Sequence, residues 1–466
     1  MTPLLILIPC FWHRHIEAGD LGSHTYNAWL ASLVEQGRAP GLFIVHPWTN
    51  IIVDSMLTGL GGTLGFSVAE KIVVCFCVLC FFWGAFAFVA ASTRRAPWML
   101  SPAIAMITYG FTFYAGFLNF YLSLGFGFFA AALSWRGTRR DWILASAFAL
   151  LSLMAHPMGF ALLAAVAAYI RLAEFASGKY RWFVFALGLL SLVALHFVLR
   201  VFRTESWLPL KFAARNGADQ LMVFGAPYRY LALGALVFGS VAFIVAAVVD
   251  ARRFRMLDRF RTPLELWVIF VFAVAMLPGT IWFPQYIAAA SAIISRLTAV
   301  TAILGLCVLG VVRPRRWIFA GLTVLAAVFF AFEYRDTGIL DGMERQVETL
   351  VAALPYGARV SYTIDFGNVA RINSRHMVDR ACIGRCFTYS NYEPGSGQFR
   401  LRILPQGSSV VSHSGLALEH GTYIVRAEDL PLWEIYQPDE DDLTKLAIRS
   451  LTVGERNGRL GHQHPS

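Results

Sequence analysis

Apolar blocks, most of about 18–25 residues, recur along this chain between polar or basic segments, and a block of that length can cross a hydrocarbon core about 30 Å thick as one helix. They fall at about 1–13, 70–92, 98–117, 119–135, 141–156, 158–175, 182–202, 230–250, 263–283, 293–312 and 316–333, eleven in all, and because several are short or joined by tight turns the expected number of spans is ten to twelve. A bilayer offers the backbone no partners, so each block must satisfy its own N–H and C=O groups, as a helix does and an open strand does not. The expected fold class is therefore an α-helical, multi-pass transmembrane protein. Composition agrees: 57% of the 466 residues are hydrophobic and 15% charged, against about 45–50% and about 25% in soluble domains. The first block, "TPLLILIPCFW", is short at about 11 residues; either the true start lies upstream or the helix enters only part of the bilayer.

The net charge of +10 does not indicate nucleic acid, because the basic residues sit in short loops between blocks. Arg94 and Arg95 follow the second block, Arg136, Arg139 and Arg140 the fourth, and Arg171, Lys179 and Arg181 the sixth. Five arginines from Arg252 to Arg261 follow the eighth, and Arg313, Arg315 and Arg316 the tenth. Basic loops stay in the cytoplasm. The N-terminus is then cytoplasmic, and residues 14–69 and the C-terminal part are extracytoplasmic, in the cell inner (plasma) membrane.

The pattern divides the chain into a transmembrane domain, 1–335, that includes an outer juxtamembrane segment, 14–69; a small soluble α/β domain, 336–451; and a disordered tail, 452–466. In the outer segment, Tyr26, Leu30 and Leu33 share a helical face, with Ser23 as an N-cap, and "WTNIIVDSMLTGL" reads as a second helix. Both are expected to lie amphipathically at the membrane surface. In the soluble part, "ARVSYTI", "QFRLRIL", "SSVVSHS", "TYIVRA" and "LWEIYQP" read as strands.

Polar groups beside or within apolar blocks are costly in lipid and mark function. They gather toward the outer side: Asn119, His156, His196, Arg200, Arg203 and Arg296 at the outer ends of the spans, and Asp20, His24, His46 and Asp54 in the outer segment. Each has a plainer reading. Asn119 and His156 suit turns or caps, Arg203 can snorkel to headgroups, and His46 can be structural. Asp20 and His24, at i and i+4, share a helix face, which suits a hydrogen-bonded pair or a shared metal. Gly19 and Gly22 flank Asp20 and leave room for a bend and for substrate. Cys382 and Cys386, in "CIGRC", face an oxidising compartment and suit a disulfide.

On "EAGDLGSHTYNAWLASL" after the first block and "RLTAVTAILGL" opening a late one, the layout resembles the GT-C superfamily of membrane glycosyltransferases. The resemblance implies an acidic residue in the first outer loop, here Asp20, acting as general base, with His24 or His46 orienting it or helping to hold a divalent ion such as Mg or Mn. It implies a polyprenyl-phosphate-linked sugar as donor, its phosphate met by Arg296 with Arg203 or Lys211. The acceptor would be a glycan, lipid or protein of the cell envelope, received by the outer domain. Many members pair two acids, whereas "GDL" has one, with Glu17 three residues earlier. Two other classes fit the spans: a transporter or flippase of a lipid-linked substrate, and a non-catalytic envelope scaffold.

Overall fold

The structure, a computed structural model, describes residues 2–176, 178–207, 215–249, 257–284, 289–312, 315–364, 374–439 and 441–458. The chain divides into two compact units. One comprises Met1–Leu7, Cys75–Pro284 and Ala289–Glu333; the other comprises Ile8–Val74, Gln285–Ala288 and Tyr334–Ser466.

The protein is mostly helical. Among the described residues, seven helices are long and apolar enough to cross a membrane: Phe66–Thr93, Leu118–Trp135, Pro157–Phe175, Lys179–Leu199, Pro227–Val248, Ile293–Val311 and Arg316–Ala352. The helices Arg139–Ala155 and Leu257–Met276 take up two further apolar blocks. The remaining two blocks form no single helix. The first gives only Thr2–Leu5 and a 3-10 turn, Ile8–Cys10, with a proline in each; proline lacks the N–H that a helix interior needs. The third breaks into Ser101–Thr108 and Phe111–Tyr114, because Gly110 between them is extended (φ −77°, ψ −172°).

Small residues set the packing in the first unit. A Cβ on Gly84 would lie 2.3 Å from the Gly125 carbonyl oxygen, so the helices Phe66–Thr93 and Leu118–Arg136 touch backbone to backbone there. Phe81 stacks on Tyr121 beside this crossing, with centroids 4.4 Å apart.

The second unit is built on a four-stranded sheet in the order Phe387–Thr388, Arg359–Thr363, Leu432–Tyr436, Ala447–Ser450, with two parallel pairings and then an antiparallel one. Tyr389, Leu418, Tyr423, Val425, Leu432 and Leu451 form a core beside it. The segment 14–69, which the sequence groups with the spans, folds with these C-terminal residues. Its strand Leu42–Ile44 pairs antiparallel with Leu401–Ile403. Two expected strands are absent. "SSVVSHS" is a loop in which Ser408 Oγ accepts the Val410 N–H and Ser412 Oγ the Ser414 N–H, side-chain bonds that compete with a ladder. "TYIVRA" contributes one isolated bridge, Ile424 to Arg456. The tail expected to be disordered is packed as far as residue 458: Asn457 is buried, its backbone N–H donates to the Tyr423 carbonyl, and its side chain bonds the Leu418 carbonyl. Cys382 and Cys386 are joined by a disulfide.

Candidate functional site

Asp20 stands immediately before the helix Leu21–Glu35 and is its N-cap residue, yet its side chain makes no capping bond. The carboxylate is therefore free for other use. Ser23, which the sequence suggests as the cap, lies inside the helix, and its hydroxyl donates to Glu393 Oε1 at 2.7 Å. The helix is not an amphipathic surface element either, since every residue from Leu21 to Ala28 is buried. Its polar side chains are matched: Thr25 donates to Glu70 at 2.7 Å, Asn391 donates to Asn27 Oδ1 at 2.7 Å, and Tyr26 accepts the Thr388 N–H at 2.9 Å. Gly22 explains how the helix start comes so close to the segment around His376. A Cβ there would be 2.2 Å from the His376 carbonyl oxygen.

That approach brings a buried relay to Asp20. His376 Nε2 lies 3.9 Å from Asp20 Oδ1, and the Asp20 side chain is 38% exposed whereas that of His376 is 7% exposed. On the other side of the ring, Nδ1 lies 2.6 Å from Asp379 Oδ2, at i+3 in the same turn. Tyr362 Oη is 3.1 Å from Nδ1 and donates to Glu419 Oε1 at 3.0 Å. Arg375 Nη1 lies 3.8 Å from Glu419 Oε2.

His24 is the second imidazole. Its Nδ1 pairs at 3.0 Å with Asp54 Oδ1, from the start of the helix Ile52–Leu64. A cleft bordered by Asn27, Asn50, Asp54, Glu393 and Arg400 opens beside this pair.

Burial alone would discharge both rings, but the surrounding carboxylates prevail. For His24, the charge and hydrogen bond of Asp54, with Glu393 and Asp20, overcome burial and push the ring up to about 9. For His376, Asp379 and then Glu419 and Asp20 overcome it and give about 9 as well. Burial pushes Glu393 up to about 7 against the pull of His24, and Glu419 up to about 7 against His376 and Arg375. At neutral pH the site thus holds two imidazolium rings whose charge Asp20 feels directly. Such an arrangement can accept a proton at Asp20 and present N–H donors to a developing anion. Asp20 faces His376 and His24 bonds Asp54, so their use as a shared metal pair finds no direct contact here.

Set against protein-family models, curated proteins and solved structures, the chain has no match. The geometry therefore carries the functional reading.

The other residues singled out in the sequence are distributed as follows. His46 is exposed, between the strand Leu42–Ile44 and the helix Ile52–Leu64. In the first unit, the Arg296 guanidinium lies over Phe117 (4.0 Å) and Phe120 (5.5 Å), and Phe120 also meets the His156 ring edge-on at 5.5 Å. His156 caps a helix: its Nδ1 accepts the Met158 N–H at 3.1 Å at the start of Pro157–Phe175. Asn119 is buried in the helix Leu118–Arg136. Arg203 is exposed and lies over Trp282 at 4.8 Å. Lys211 lies outside the described residues.

Sequence reasoning missed His376, Asp379, Tyr362, Glu393 and Glu419. One signal was available: "RHMVDR" places His376 and Asp379 at i and i+3, and Arg375 and Arg380 at each end.

Proposed function

We propose that this chain is an integral membrane glycosyltransferase of the GT-C kind, with Asp20 as its general base. It moves a sugar from a polyprenyl-phosphate donor to an acceptor hydroxyl on the extracytoplasmic face. In this reading about eleven apolar segments cross the inner membrane, the basic loops face the cytoplasm, and the C-terminal α/β domain lies outside. One observation carries it. Asp20 is a helix-start carboxylate that caps nothing and stands accessible at the rim of an otherwise buried set of imidazoles and carboxyls. A sugar leaving a polyprenyl phosphate needs a base for the incoming hydroxyl and cationic donors for the departing phosphate. Asp20 supplies the first, and the imidazolium N–H groups of His376 and His24 supply the second. Asp379 and Asp54 keep those rings charged and oriented, as positioning residues.

The clustering of ionisable groups near one helix start favours a transferase over a transporter, which needs its site at midplane depth between spans. The test is a purified chain in proteoliposomes given a panel of labelled polyprenyl-phosphate hexoses and pentoses with envelope glycolipid acceptors. The expected result is release of polyprenyl phosphate with label on the acceptor. Movement of intact donor across the bilayer without cleavage, or no turnover of any donor, would refute it.

A further inference from the structure

A second polar cluster surrounds His15 and does not use Asp20. The backbone N–H and Nδ1 of His15 both lie 2.9 Å from Asp341 Oδ1, and Nε2 lies 3.3 Å from Glu348 Oε1 and 3.9 Å from Glu344 Oε1. If Nε2 carries the ring proton and donates it to Glu348, Nδ1 keeps a lone pair that faces a carboxylate oxygen. Two acceptors at 2.9 Å need a proton or a metal cation between them. The Glu17 carboxylate completes the group: a ring nitrogen of His15 and one oxygen each of Glu17 and Asp341 lie within 4.8 Å of one another. The Glu17 side chain is only 1% exposed, and its Oε1 is buried with no hydrogen-bond partner. Glu344 beside it can serve that oxygen only if one of the two carboxyls is protonated.

The charge count points the same way. Glu17, Glu70 and Glu344 converge on the single guanidinium of Arg380, Asp341 pairs with Arg345, and Glu348 pairs with Arg14. Five carboxylates are met by three guanidinium groups and the His15 ring, which leaves at least one negative charge even when that ring is protonated. The outer side of the cluster is accessible, since the Arg14 and Arg345 side chains are 65% and 58% exposed.

We propose that His15, Glu17 and Asp341 bind a divalent transition cation of the Mn²⁺ or Zn²⁺ class, with Glu348 accepting the far N–H of the ligating imidazole. One imidazole with two carboxylates suits these ions better than Ca²⁺, which takes oxygen ligands. A ligating histidine that donates its other N–H to a carboxylate is the usual support for such a site. The ion ties the segment His15–Glu17, three residues before Asp20, to the Asp341-bearing end of the helix Arg316–Ala352. Its role is structural.

The test uses the full-length chain in detergent, stripped with chelator and titrated with Mn²⁺ while free Mn²⁺ is read by electron paramagnetic resonance. One equivalent should bind per chain, Zn²⁺ should displace it, and pulsed spectra should show ¹⁴N coupling from a bound imidazole. Glu17→Gln should weaken binding at least about tenfold, Glu348→Gln by about 10- to 100-fold, and His15→Gln should abolish the nitrogen coupling. Asp20→Asn should leave the affinity unchanged. The proposal is overturned if wild type shows no saturable binding or no ¹⁴N coupling, which means that protons neutralise the cluster. It is equally overturned if Glu17→Gln binds as tightly as wild type, or if Asp20→Asn removes the ion.

Discussion

Replacing Asp379 by Asn removes the charge that holds His376 protonated while keeping the side chain's shape. Asp379 Oδ2 lies 2.6 Å from His376 Nδ1. Burial pulls the ring down, yet it sits at about 9 rather than 6.5, with Asp379 the largest opposing influence. That rise is worth about 3 kcal/mol at 1.36 kcal/mol per unit. It sets a floor on the net contribution of the carboxylates, because they must also offset burial. Asp379→Asn should therefore lower the His376 titration by at least about 2 units and leave the ring neutral at pH 7.5. The assay is carbon-13 NMR of histidine-labelled protein in detergent across pH 5–10, with His376→Gln identifying the signal. Transfer activity should fall in parallel while Asp20 remains in place. A His376 signal that titrates near 6.5 in wild type, or one still protonated at pH 8 in Asp379→Asn, would refute the reasoning.

Two further outcomes follow from the same cluster. His24 and His376 are raised to about 9 and Glu393 and Glu419 to about 7, so the stability they contribute is full below the unfolded-state values and is lost as pH rises through the folded ones. The unfolding free energy of the detergent-solubilised chain from urea titration should fall between pH 7 and 9.5, by up to about 3 kcal/mol per imidazole; a flat or rising free energy would contradict the charged rings. Gly22→Ala should destabilise by about 1–3 kcal/mol, because the new methyl would meet the His376 carbonyl at 2.2 Å. A melting temperature equal to wild type would show that the close approach is not there.

The apolar blocks were legible because each helix is encoded locally. Seven of the described helices have the length and apolarity to span, two further blocks form the helices Arg139–Ala155 and Leu257–Met276, and the two blocks that form no single helix carry prolines or an extended glycine. Asp20 stood out because of its place after the first block and the glycines around it. Its partners did not, because His376, Asp379 and Glu419 reach it only through tertiary contacts across most of the chain. The segment 14–69 reads as amphipathic because Tyr26, Leu30 and Leu33 share one helical face and polar residues, Ser23, Thr25 and Asn27, stand beside them. Those side chains are in fact buried against Glu393, Glu70 and Asn391, and no local pattern distinguishes a polar face turned to water from one turned to buried partners. The same limit applies to "SSVVSHS", where alternation suggests a strand and serine side chains instead close local turns.

The central claim is that Asp20 takes the proton from the acceptor hydroxyl. Asp20→Asn keeps the size and removes the charge and the basic lone pair, and general-base catalysis contributes about 10²- to 10⁴-fold. The deciding measurement is single-turnover sugar transfer by wild type and Asp20→Asn in proteoliposomes, with donor binding measured in the same samples. The account predicts a rate loss of about 10²- to 10⁴-fold with donor affinity largely kept and the protein normally folded. A well-folded Asp20→Asn protein that transfers within a few-fold of wild type would contradict it.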